Sequence, residues 1–228
     1  MNLRLLQLGD SALPIGGYCH SWGLEAAIAR RLVLDAGSLE QWVRLWLRHA
    51  LAPCEGVVVA AGCRAARKRD WAVLLRANEL LWCSLAPPTL RRASRDMGEQ
   101  LVVLAETWSW AAESMVALRQ SMASSPGPEE RHHACVFATV AAAAGSTPAD
   151  ALAVYLHQAT LGILGAGVRA IPVGHTHGQE ILSRLHGEIE ALAGEFGERG
   201  LETAGSFCPA YEILCDAQSR LYTRLFRS

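Results

Sequence analysis

Residues 89–122 read TLRRASRDMGEQLVVLAETWSWAAESMVALRQSM. Apolar side chains recur here at three- and four-residue steps: Ala93, Met97, Leu101, Leu104, Ala105, Trp108, Ala111, Ala112, Met115 and Leu118. That is the period of one face of an α-helix, sustained over many turns. Pro87-Pro88 opens the stretch, where a missing N–H does no harm. A helix this long runs through a core and collects neighbours around it. The expected fold is therefore all-α, a single-domain multi-helix bundle around a long central helix.

The flanking sequence repeats the same signal in shorter pieces. Residues 3–9 read as a helical lead-in and 21–33 as an amphipathic helix that Ser21 caps. Ser38-Leu39-Glu40-Gln41 has the form of a capping box for a helix to about Leu51, which Pro53 closes. Helices follow over 55–68 and, capped by Asp70, over 71–85. Ser124-Ser125-Pro126-Gly127-Pro128 is a loop, and the small apolar residues of 132–144 suit a central helix. Thr147-Pro148-Ala149-Asp150 starts another, through about Leu164. Residues 176–193 are helical, Gly194–Gly205 is glycine-rich and expected to be mobile, and 210–228 form a short amphipathic helix with Arg220, Arg224 and Arg227. No β-alternating segment occurs. Residues 1–205 are taken as the helical domain and 206–228 as a C-terminal docking segment of that domain.

Two stretches break the helical pattern. Leu8–Glu25 contains Pro14, Gly16-Gly17 and the rings of Tyr18, His20 and Trp22. Gly165–Gln179 contains Arg169, Pro172, Gly174, His175 and His177. Loops dense in glycine and polar rings carry function more often than packing.

Composition excludes several classes. Lys+Arg number 21 against Asp+Glu 22, so no basic field exists for nucleic acid. Half the residues are hydrophobic (51%) and 19% charged, which rules out a disordered chain. The start, with Asp10 close behind Leu6, does not read as a signal peptide, and the apolar runs fall short of the ~20 residues that span a bilayer. Seven cysteines without a Cys-x-x-Cys pair read as buried thiols in a reducing compartment, hence a cytoplasmic protein. No phosphate-binding Gly-x-x-x-x-Gly-Lys motif is present. Cys19-His20-Ser21-Trp22-Gly23 falls short of a Gly-x-Ser-x-Gly nucleophile elbow, because Cys19 stands at the first glycine and no strand leads in. His175 and His177 are weak metal candidates without a carboxylate or thiol at ligand spacing.

Four segments, taken together, resemble the UreF family of urease accessory proteins. They are Leu8–Glu25; Arg92-Ala93-Ser94-Arg95-Asp96-Met97-Gly98-Glu99-Gln100-Leu101; Arg169–Gln179; and the ending Gly205–Pro209 with Leu221–Ser228. The chain departs from the family pattern at His175, where Gln is usual, at Gln218-Ser219, where His-Glu is usual, and at Ala138, where Gly is usual. The resemblance implies a non-enzyme without a cofactor. It implies a homodimer that bridges a UreD/UreH-type protein and a UreG-type GTPase and serves nickel insertion into apo-urease. It places partner binding on Pro14, Gly16, Gly17, Tyr18, His20, Arg169, Gly174 and Gln179, and on Tyr222, Arg224, Leu225 and Phe226 of the tail. The alternative is a nickel-binding metallochaperone that uses its own His175 and His177.

Overall fold

The computed structural model describes residues 1–124 and 130–228. They form a single all-α domain, with no strand among them. Its helices are α1 (Leu3–Leu8), α2 (Leu24–Ala29), α3 (Ala36–Trp46), α4 (Val57–Arg67), α5 (Trp71–Ser84), α6 (Pro88–Glu106), α7 (Ala112–Ala123), α8 (His133–Ala143), α9 (Pro148–Ala170), α10 (His175–Gly197) and α11 (Pro209–Gln218).

The centre is α8, not residues 89–122. Every side chain from His133 to Ala141 is buried, and α8 packs on α4 and α6. Small residues permit that approach: a methyl added at Gly62 of α4 would lie 3.0 Å from Ala138 Cβ. α9 pairs with α10 along one side. α9 is long and apolar enough to cross a membrane by length and composition, but half of that window is buried inside the fold.

The expected 89–122 helix is two helices, because Thr107–Ala111 form a turn. Thr107 Oγ1 donates back to the Leu104 carbonyl at 2.7 Å, and the rings of Trp108 and Trp110 stack at 5.1 Å. Hydroxyls that bond the local backbone, next to aromatic residues, favour such an interruption. The apolar period runs on because Ala111 in the turn also faces the core.

Other boundaries move for identifiable reasons. Asp35, not Ser38, caps α3: its carboxylate accepts from Ser38 N at 2.8 Å while Ser38 Oγ accepts from Asp35 N at 3.1 Å. Pro53 does not stop the chain. Leu47–Gly56 widens into a π-helical stretch that joins α3 to α4 and tolerates a residue without an N–H. Asp70 and Thr147 cap α5 and α9 as expected. Gly165 and Gly167 lie inside α9, which continues to Ala170.

The glycine-rich 194–205 segment is packed. Arg64 donates to the carbonyls of Gly197 and Arg199, and Gly205 N donates to the Pro53 carbonyl at 3.0 Å. The last helix ends at Gln218, and residues 219–228 return to the first loop as irregular chain. The expected loop at 124–128 falls, beyond Ser124, outside the described residues.

Candidate functional site

The first loop and the chain's last ten residues build one structure. Asp10 starts the loop, its carboxylate accepting from Ala12 N at 2.8 Å. Gly16 (φ +84°) takes a left-handed conformation that turns the chain into a single 3-10 turn, Gly17–Cys19. Gly23 (φ +79°) turns it again into α2, and a methyl there would sit 2.7 Å from Cys215 Sγ.

Between those glycines the tail docks. The Ser228 carbonyl oxygen accepts from Ser21 N (2.5 Å) and Trp22 N (3.1 Å). Ser21, expected to cap α2, does not: Gly23 is the N-cap, and Ser21 Oγ lies 3.0 Å from both that oxygen and Gln218 Oε1 and accepts from Glu25 N only at 3.4 Å. His20 Nδ1 meets Ser228 Oγ at 2.7 Å. Arg227 N donates to the Cys19 carbonyl at 2.8 Å. The Glu25 carboxylate accepts from Leu225 N (2.5 Å) and Phe226 N (3.2 Å). Arg169, at the end of α9, donates to the Tyr18 carbonyl at 2.7 Å and stands over the Phe226 ring at 4.7 Å.

Burial keeps His20 uncharged: desolvation lowers its pKa to about 4, with Asp96 opposing and Arg227 adding to the effect. Its ring and the Ser21 hydroxyl are both committed to the tail. This leaves no serine–histidine couple in the loop.

The structure thus joins Gly16, Gly17, Tyr18 and His20 to Arg169 and Phe226. Phe226 is turned inward, 4% exposed, and anchors the tail itself. Tyr222 (103%) and Leu225 (62%) project outward, as does Arg224. Pro14 is exposed on the loop. Gly174 is the N-cap residue of α10. His175 and His177 stand two apart in its first turn, where side chains point in different directions. No group of three or more His, Cys, Asp or Glu side chains among the described residues is placed to hold a metal.

Behind the loop lies a cavity of about 400 Å³. Tyr18, Arg169, His175 and Gln179, all exposed, line its outer part, and Glu55, His133 and Tyr155 line its inner part. Tyr155 Oη donates to Glu55 Oε1 at 3.1 Å, and the rings of His133 and Tyr155 lie 5.4 Å apart. His133 Nε2 has no hydrogen-bond partner among the described residues. Desolvation pushes Glu55 up to about 7, against the Tyr155 hydrogen bond, and lowers His133 to about 4.

The sign of the Glu55 effect is testable. Its folded pKa exceeds the unfolded value of about 4.3, so the folded state binds the extra proton and stability contributed at this site falls from pH 5 towards pH 8. Replacement by Gln removes that loss. The melting temperature of Glu55→Gln relative to the parent is expected to rise steadily over this range; a constant difference contradicts the assignment.

Glu55, Tyr155 and Glu25 are not singled out by the sequence, and the adjacent His132-His133 reads there only as a second pair of imidazoles that could suit nickel or zinc. The 8–25 motif ends on Glu25, but nothing there shows that it meets residues two hundred positions away.

The UreF family model matches residues 33–186, well over half of the chain. The chain belongs to the UreF family. It is 32% identical to the urease accessory protein UreF of Cupriavidus metallidurans over 232 residues, covering 99% of this chain and 97% of that one. It is 33% identical to UreF of Cupriavidus taiwanensis over 238 residues, with 99% and 97% coverage. Identity to UreF of Ectopseudomonas mendocina is 35% over 228 residues, with 98% and 97% coverage. The matches to these relatives thus extend over both parts of the loop–tail structure, whereas the family model begins after the first loop and ends before the tail.

Proposed function

We propose that this UreF-family chain acts in urease maturation as a non-catalytic scaffold. It links a UreD/UreH-type accessory protein to a UreG-type GTPase, regulates that GTPase, and so serves nickel insertion into apo-urease. Nickel is cargo of the assembly. The homodimer and the cytoplasmic location belong to the same reading.

The observation that carries the proposal is the pairing of loop and tail. The segments whose motifs carry the family resemblance at both ends of the sequence meet on one face, stapled by Arg169, Glu25 and Ser21. Their inward residues hold each other. Their outward residues, Tyr18, Tyr222 and Leu225, are large apolar groups left in solvent. Aromatic groups presented this way favour a protein partner over packing within the chain. In this reading the tail engages the UreD/UreH-type protein. The loop, with Arg169, Gly174 and Gln179, shapes the surface used by the GTPase and the entrance to the cavity through which nickel passes.

Activation of urease in a reconstituted system tests the loop's part. Tyr18→Ala and Arg169→Ala are expected to lower the yield of active urease severalfold. Tyr18 is exposed, so Tyr18→Ala should cost the fold no more than about 1 kcal/mol; Arg169→Ala also removes the bond to the Tyr18 carbonyl and the contact with Phe226, so it loosens the loop–tail staple as well. Full activation by both variants, with unchanged melting, removes the role given to this surface.

A further inference from the structure

Two histidines far from the loop–tail surface in sequence face one another across the α9–α10 pair. His157 is half-buried on α9 and His186 is exposed on α10. Their ring centres are 5.9 Å apart and their planes are inclined by 31°. The two helices pack against each other extensively, so the rings are carried by rigid backbone. His175 and His177, by contrast, sit at a helix start and diverge.

We propose that His157 and His186 clasp a borderline divalent transition-metal ion, nickel or zinc, between their imidazoles. The ring separation is close to what such an ion needs. Two imidazoles bound at about 2.1 Å in a tetrahedral arrangement hold their ring centres roughly 5 Å apart. The observed pair reaches that by closing less than about 1 Å, within the range of small side-chain rotations. Neutral imidazole is a favoured ligand for both ions. Burial and the facing ring both lower the His157 pKa, which keeps that ring in the ligating form at neutral pH.

No third His, Cys, Asp or Glu joins the pair among the described residues. The protein therefore supplies two ligands, and water completes the coordination. Such a site is open on one side and exchanges its ion readily. It differs from a structural zinc centre, which is closed by four protein ligands. The site is independent of the partner-docking reading and stands or falls without it.

Calorimetric titration of the full chain with nickel chloride, and separately with zinc chloride, tests the proposal. One site per chain is expected for at least one of the two ions. His157→Ala and His186→Ala should each weaken it at least about tenfold. His186→Ala should leave the melting temperature measured without metal unchanged, because that ring is exposed, and His157→Ala, at a half-buried ring, should lower it only slightly. The His175→Ala/His177→Ala double variant should bind as the parent does. Three results overturn the proposal: no binding of either ion tighter than about 1 mM; binding that survives both single substitutions; or binding lost only in the double variant.

Discussion

Glu25→Ala releases the C-terminal segment. Among the described residues the Glu25 carboxylate is the one charged group that receives backbone N–H bonds from the tail, those of Leu225 and Phe226, and it also lies 3.4 Å from Gln218 Nε2. A hydrogen bond to a charged group contributes about 1.5–3 kcal/mol, so loss of the two backbone bonds removes about 3 kcal/mol or more from tail docking. The helices, which bury their own core, stay folded. Trypsin should therefore cut after Arg220, Arg224 and Arg227 far faster in the variant than in the parent. Amide protection over 221–228 should fall without change in α8. Glu25→Gln keeps one acceptor and should lie between the two. An unchanged cleavage rate in Glu25→Ala contradicts the staple.

Gly98→Ala destabilises the whole domain. In a helix interior this substitution ordinarily stabilises by about 1 kcal/mol. Here the added methyl would lie 1.9 Å from the Arg131 carbonyl oxygen, so the backbone entering α8 must move. That backbone is held on all sides. His132 N donates to Asn78 Oδ1 at 2.9 Å, His133 N donates to Ser94 Oγ at 3.3 Å, and Arg131 N donates to Glu99 Oε1 at 3.0 Å. Moving it disturbs these bonds and the central helix together. The expected cost is at least about 3 kcal/mol, a fall of roughly 6–12 °C in melting temperature for a domain of this size. Gly187→Ala on α10, where a methyl meets nothing within 4 Å, should raise the melting temperature slightly. A Gly98→Ala protein as stable as the Gly187→Ala protein contradicts the close packing of α6 on the start of α8.

The Gly98 case shows how sequence and structure divide the account. Helical periodicity made the all-α class legible, and cap residues such as Asp70 and Thr147 placed their helices. Two boundaries escaped because the signal is ambiguous on its own. Pro53 usually ends a helix, and only the π-helical widening around it lets α3 run on into α4. Trp108 and Ala111 keep the helical period through a turn, because a turn facing the core needs the same apolar residues as a helix.

The site was half legible. Glycines, polar rings and the terminal motif singled out the loop and the tail, and they marked Arg169. Nothing local shows that Ser21 and Glu25 serve the tail, since contacts across some two hundred residues leave no trace in spacing. Phe226 looked like a partner anchor because a terminal aromatic carries no sign of which way it points; the Arg169 guanidinium above it holds it inside. The Glu55–Tyr155–His133 group was silent for a different reason. Its perturbed protonation arises from burial at the inner end of a cavity that exists only once the Leu47–Gly56 stretch, α8 and α9 have packed.

In the proposed function the outward side of the docked tail is a partner surface. Co-elution on a sizing column tests this, with the 228-residue chain mixed with the UreD/UreH-type protein and then with the GTPase. The parent should co-elute with the first partner and then recruit the second. The Tyr222→Ala/Leu225→Asp double variant, which alters two exposed side chains, should melt like the parent yet bind the first partner at least about tenfold more weakly. Co-elution of the double variant indistinguishable from the parent, or failure of the parent to bind either protein, contradicts the account.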